Sequence, residues 1–181
     1  MHEAASAIAA DVSGQASNVV VVYSNREGSW EDGTGRWVSV SQEDYFGRKF
    51  GRLLQEVPSG HALLLIQADA ECTDWAGLFR RFEHLISHRS DIGLWTPVID
   101  NTPFPFDQMA TSPDQDGLWE VAQTDGIVLG IAPRCVDRLK RLDFTSTRLI
   151  HRIPFSASLG AVLSLGGRCA AGDERRHQAL L

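Results

Sequence analysis

The chain reads as a single α/β domain built on a mainly parallel central sheet flanked by helices. Three observations predict this class. Strand-like and helix-like segments alternate along the chain, as they do where helical crossovers join parallel strands. The strand-like segments are unbroken apolar runs, the pattern of strands covered on both faces. The length, 181 residues, suits one such domain, since domains usually run about 100–200 residues.

The first strand is read over residues 18–23, where Val19, Val20, Val21 and Val22 stiffen the backbone toward extended geometry. It empties into a polar loop at 24–28. Turn chemistry at 31–35, with Asp32, Gly33 and Gly35, precedes a short strand at 36–40. A helix is expected from Ser41, because Ser41 and Asp44 have capping-box spacing with Asp in place of Glu or Gln. Phe46, Phe50, Leu53, Leu54 and Val57 recur behind it at helical intervals until Pro58, Ser59 and Gly60 stop the run. A second strand, 61–67, follows at once.

Thr73 is the expected cap of the next helix, whose apolar face is Trp75, Leu78, Phe79, Phe82, Leu85 and Ile86. A strand interrupted near Pro97 is read over 91–99, a long loop over 100–117 and a further strand over 126–131. Pro133 begins a last helix, running to about Leu142, with Val136, Leu139 and Leu142 on its apolar face. Three regions result: a flexible or weakly ordered segment at 1–17, the α/β domain at 18–145 and a divergent tail at 146–181.

Composition narrows the function by exclusion. With 43% hydrophobic and 22% charged residues the chain is an ordinary globular one. A net charge of −6 and a pI near 5.4 weigh against a broad nucleic-acid surface, so no nucleic-acid partner is expected. The three cysteines, Cys72, Cys135 and Cys169, lack C-x-x-C spacing, which argues against a disulfide framework or a cysteine-rich zinc site. Residues 1–18 have no basic region before an apolar stretch and make a poor secretory signal. The apolar run 153–167 is interrupted by Pro154, serines and glycines, and falls short of the roughly 20 residues of a spanning helix. The expectation is a cytoplasmic protein, with a peripheral membrane contact still compatible.

The sharpest chemical signal is Gln67-Ala68-Asp69-Ala70-Glu71, directly after the second strand. In extended backbone, residues i and i+2 point to one side, so Asp69 and Glu71 can present two carboxylates together. Such a pair suits Mg²⁺ or Mn²⁺, which keep several waters and bridge to phosphate oxygens. The plainer alternative is a solvated acidic loop that leads into the following helix.

Residues 46–71, a helix followed by this strand and acidic loop, resemble the centre of the GT-A glycosyltransferases, in particular the large inverting family that uses nucleotide-diphosphate sugars. In that family a hydrophobic strand ends in a D-x-D-type motif that binds the metal and the sugar diphosphate, and Asp69 and Glu71 match it as D-x-E. Tyr23, Ser24 and Asn25 resemble the end of the family's first strand, which contacts the nucleoside. Residues 123–144 resemble the later strand–helix segment that lines the acceptor side. Over 18–145 the resemblance therefore implies a GT-A (Rossmann-like) domain that holds Mn²⁺ or Mg²⁺ on Asp69 and Glu71. The donor would meet Tyr23, Ser24, Asn25, Gln67 and Asp69, and Asp125 would be the general base. An acceptor of glycan, lipid or protein type would receive the sugar.

Two departures accompany the resemblance. The interval between the first strand and the acidic loop is short, without the nucleotide-binding acid the family places there. Beyond Asp143 the Gly- and acid-rich segment that supplies the family's base is replaced by an unrelated tail. A second expectation follows from them: a GT-A-like module that binds a nucleotide sugar without transferring it.

Other constellations carry less. His84 and His88 stand four apart on a helix, opposite its apolar face and without the Glu of an H-E-x-x-H motif, so they read as a solvated face. Gly33-Thr34-Gly35 precedes a strand, not the helix a dinucleotide loop needs. Asp114, Asp116 and Gly117 lack the spacing of a calcium loop, and Ser156 and Ser158 lack the leading glycine of a nucleophile elbow. Trp37, Trp75, Trp95 and Trp119 read as packing residues more readily than as sugar platforms.

Overall fold

The structure, a computed structural model, describes residues 2–24, 28–44, 46–100, 110–113, 118–121, 126–142, 144 and 168–172. Along them run α1 (His2–Ser13), β1 (Val20–Ser24), β2 (Trp30–Asp32), β3 (Gly35–Val40), α2 (Phe46–Glu56), β4 (Leu63–Ile66) and α3 (Trp75–His88). There follow β5 (Ile92–Thr96), β6 (Ala110–Pro113), β7 (Leu118–Val121), β8 (Val128–Ile131), α4 (Pro133–Leu139) and β9 (Arg168–Gly172). The helix α1 lies in the 1–17 stretch expected to be weakly ordered, and it buries Ala9 and Val12.

The strands do not form one parallel sheet. They form a three-stranded sheet in the order β1-β3-β2 and a six-stranded sheet in the order β4-β8-β5-β9-β7-β6. Only β1–β3 and β5–β9 pair in parallel among the described strands, and the other neighbours run antiparallel. This corrects the expected mainly parallel GT-A-type sheet, and the reason is physical. An unbroken apolar run reports that both faces of a strand are covered; it carries no information about the direction of the neighbour.

The cover is plain in the packing. On β4, Leu63 and Leu65 join a core with Phe50 and Leu54 of α2 and Val136 and Leu139 of α4. The alternate residues Leu64 and Ile66 pack with Trp75, Leu78 and Phe82 of α3 on the other face. The same division runs through β8, where Leu129 and Ile131 take the first side and Val128 the second. Helices thus lie on both faces of an antiparallel β4-β8-β5 centre. Gly130 shows how tightly α3 seats: a Cβ there would meet the Phe82 ring at 2.4 Å.

Element ends also move relative to the expectations. Ser41 and Asp44 form a turn ahead of α2, in which the Ser41 N–H donates to Asp44 at 3.2 Å and the Glu43 N–H to Ser41 Oγ at 3.3 Å. The cap of α3 is Asp74, not Thr73, and its Oδ1 accepts from the Gly77 N–H at 2.7 Å. Strand β6 lies inside the stretch 100–117 expected as loop, and Leu142, expected on a buried face, is 39% exposed beyond the end of α4. Strand β9 comes from the expected tail and sits between β5 and β7. No helix among the described residues is long and apolar enough to cross a membrane.

Candidate functional site

The end of β4 is where the chain turns outward. The Gln67 N–H donates to the Ile127 carbonyl at 2.9 Å, and its side-chain amide donates to the Gly126 carbonyl at 3.1 Å. Gly126 has φ +76°, a left-handed conformation that glycine adopts without strain. The Gln67 carbonyl in turn accepts from the Ala70 N–H at 3.0 Å, closing a turn with Asp69 near its tip. Gln67 thereby ties β4 to the entrance of β8, and the acidic loop starts from a fixed point.

Asp69 and Glu71 are both exposed, and neither carboxylate has a partner among the described residues. Because a turn replaces extended backbone here, the two open on different spaces. Asp69 lines a cavity of about 430 Å³ bounded by α1, β1, α2, β4 and Phe79 of α3. Glu71 lines a separate cleft of about 10 Å³ with Trp75, Leu78 and Pro97. The space is open to the surface and large enough to admit solvent or a small ligand.

Among the described residues, no group of three or more His, Cys, Asp and Glu converges as a metal cage. A hard divalent ion held by one or two carboxylates, with water and phosphate oxygens completing its shell, needs no such cage. Asp69, on the larger space, fits that limited role.

The end of β1 is organised differently. The Tyr23 ring meets Trp30 edge-on at 5.0 Å and Trp37 at 5.8 Å, and its hydroxyl donates to the Gly28 carbonyl. Trp30 and Trp37 stack at 5.1 Å, with His2 of α1 stacked on Trp37 at 4.9 Å. Asp32 accepts from Thr34 Oγ1 at 2.6 Å, the Thr34 N–H at 2.8 Å, the Gly35 N–H at 3.2 Å and Trp37 Nε1 at 3.0 Å. These bonds, led by the Thr34 hydroxyl, hold its carboxyl below the usual aspartate range. The Ser24 hydroxyl donates to the Ser41 carbonyl at 3.3 Å. Tyr23 and Ser24 are thus engaged with their own loops. Asn25 and Asp125 lie outside the described residues, as does the Asp114–Asp116 loop.

The remaining candidates fall into structural roles. Trp37, Trp75 and Trp95 are buried in the core. On α3 the exposed His84 and His88 rings lie 4.1 Å apart, and His88 Nδ1 bonds the His84 carbonyl at 2.7 Å. Burial pushes the Cys72 and Cys135 thiols up, which keeps both protonated and poorly nucleophilic. What sequence reasoning missed is the cavity itself. Its walls come from segments far apart in the chain, and no local pattern announces them.

In comparisons with known proteins, no family model matches the chain and no curated protein matches its sequence.

Proposed function

We propose that the chain binds a nucleotide-diphosphate sugar with Mn²⁺ or Mg²⁺ at the end of β4 and transfers the sugar to an acceptor hydroxyl. One observation carries the reading: Asp69 is exposed, lacks a partner among the described residues, and lines a cavity of ligand size. The resemblance of residues 46–71 to the glycosyltransferase centre supports it. Asp69 would hold the ion, with Glu71 contributing through water. Bound there, the ion supplies positive charge against the departing diphosphate. Gln67 fixes the loop through Gly126. Asp125, one residue before Gly126, is the proposed base that takes the proton from the acceptor hydroxyl.

Asp69→Asn removes one charge at nearly constant shape. Isothermal titration with a nucleoside diphosphate and Mn²⁺ should show about tenfold weaker binding, or about 1.4 kcal/mol. Wild-type affinity in that variant contradicts the reading. Asp125→Asn should keep donor affinity and lower transfer by about 10²–10⁴.

A second reading, donor binding without transfer, is favoured by the separation of Asp69 from Glu71. The two residues border different spaces, and a binding module needs only one of them. Metal-dependent binding without donor hydrolysis or transfer in a coupled assay selects this module.

A further inference from the structure

Away from the cavity and the two strand ends, the exposed face of α3 carries His84 and His88, four residues apart. Four residues nearly complete a helical turn, so both rings leave the same face. Their centres lie 4.1 Å apart and their planes are tilted by 34°. Closeness alone does not make two imidazoles a ligand pair, since each must also offer a lone pair. For His88 the hydrogen bonding settles this point. Its Nδ1 lies 2.7 Å from the His84 carbonyl. A carbonyl only accepts, so Nδ1 carries the proton, and the neutral ring has its lone pair on Nε2. Metal-ligating imidazoles are held in this way, with the other ring N–H given to a carbonyl that fixes the tautomer and the ring orientation.

Charge and helix position decide which ion suits the pair. His88 is the last residue of α3, where the negative end of the helix dipole favours a cation. That end is held in place: the Arg89 N–H donates to the Leu85 carbonyl at 2.9 Å, and the Arg89 guanidinium grips Asp91 with bonds of 3.0 and 2.9 Å. Arg80 and Arg81, both exposed, stand one turn before His84 and oppose an ion held by charge alone. The balance selects an ion held by coordinate bonds to nitrogen. Zn²⁺ has that preference, whereas Mg²⁺ and Mn²⁺ favour oxygen. Two nitrogens on one tetrahedral Zn²⁺, each about 2.0–2.1 Å from it, stand about 3.3 Å apart. Rings whose centres are 4.1 Å apart can meet that span.

We infer that His84 and His88 form a two-imidazole binding site for Zn²⁺ on the surface of α3, with water completing the tetrahedron. The site shares no residue with the proposed donor site and takes a different kind of ion. Binding also couples to the fold, because the two nitrogens converge only while the last turns of α3 are helical.

The test is isothermal titration of the full chain with Zn²⁺ in excess Mg²⁺, which competes for carboxylate oxygens. Saturable binding is expected for the wild type. His84→Ala and His88→Ala each leave a single imidazole and should each weaken it about tenfold or more. Zn²⁺ should also raise the urea midpoint of the wild type and leave that of either variant where it was. A further measurement needs no variant: Zn²⁺ should protect His84 and His88 of the wild type from diethylpyrocarbonate, read by peptide mass, while the exposed His61 stays reactive. Absence of Zn²⁺ binding overturns the proposal, as does wild-type affinity in either variant. Equal modification of His84 and His88 with and without Zn²⁺ overturns it as well, and places any bound ion elsewhere on the chain.

Discussion

The ends of β1 and β4 are both strand-to-loop junctions with polar residues, yet those residues are engaged differently. At the end of β1 the described polar side chains are engaged locally, Tyr23 by the Trp30–Trp37 pair and the Gly28 carbonyl, Ser24 by the Ser41 carbonyl. At the end of β4 only the base of the loop is tied down, through Gln67 and Gly126. Asp69 and Glu71 project from that anchor with no partner among the described residues. A satisfied polar group contributes to stability, whereas an unsatisfied exposed carboxylate is free to spend its charge on a ligand. The difference leaves exposed carboxylates at the second junction, where the proposed ligand would bind, and hydrogen-bonded side chains at Tyr23 and Ser24 of the first.

Substitutions can break or sharpen this contrast. The largest effect is expected for Trp37→Ala, since Trp37 is 2% exposed and stacked on two rings. Urea unfolding should report a loss of about 3–5 kcal/mol, and a loss below about 1 kcal/mol would deny the cluster its role. Tyr23→Phe deletes only the hydroxyl that donates to Gly28, so the same measurement should give about 0.5–1.5 kcal/mol.

Asp32 provides a pH test. Its folded pKa is lowered by the bonds from Thr34, Gly35 and Trp37. Its contribution is therefore present above the unfolded aspartate value and lost as pH falls through the lower folded value. Stability of the wild type should decline below about pH 4 more steeply than that of Asp32→Asn. Parallel acid titrations of the two would remove the network's electrostatic role. Asp69→Asn closes the series at the small end, with unfolding free energy unchanged within about 0.5 kcal/mol.

Much of the element order was legible in the sequence. The valine run, the periodicity of α2 and α3 and the proline at the start of α4 are local features, and local chemistry sets them. Strand direction was not legible, because Leu129 and Ile131 are apolar for the helices that cover them, whichever way β5 and β4 run beside them. The position of β9 between β5 and β7 depends on pairing with strands far away in sequence. In the candidate site, the acids after β4 were legible as residue types. That Asp69 and Glu71 open on separate spaces was not, because one turn closed by the Ala70 N–H and the Gln67 carbonyl decides it.

The contrast between the two junctions is tested most directly by titrating a nucleoside diphosphate with Mn²⁺ into Asp69→Asn and Tyr23→Phe side by side. The account predicts about tenfold weaker binding for Asp69→Asn and wild-type affinity for Tyr23→Phe, with both variants folded by circular dichroism. The reverse pattern, with Tyr23→Phe weakened and Asp69→Asn intact, would place the ligand at the end of β1 and contradict it.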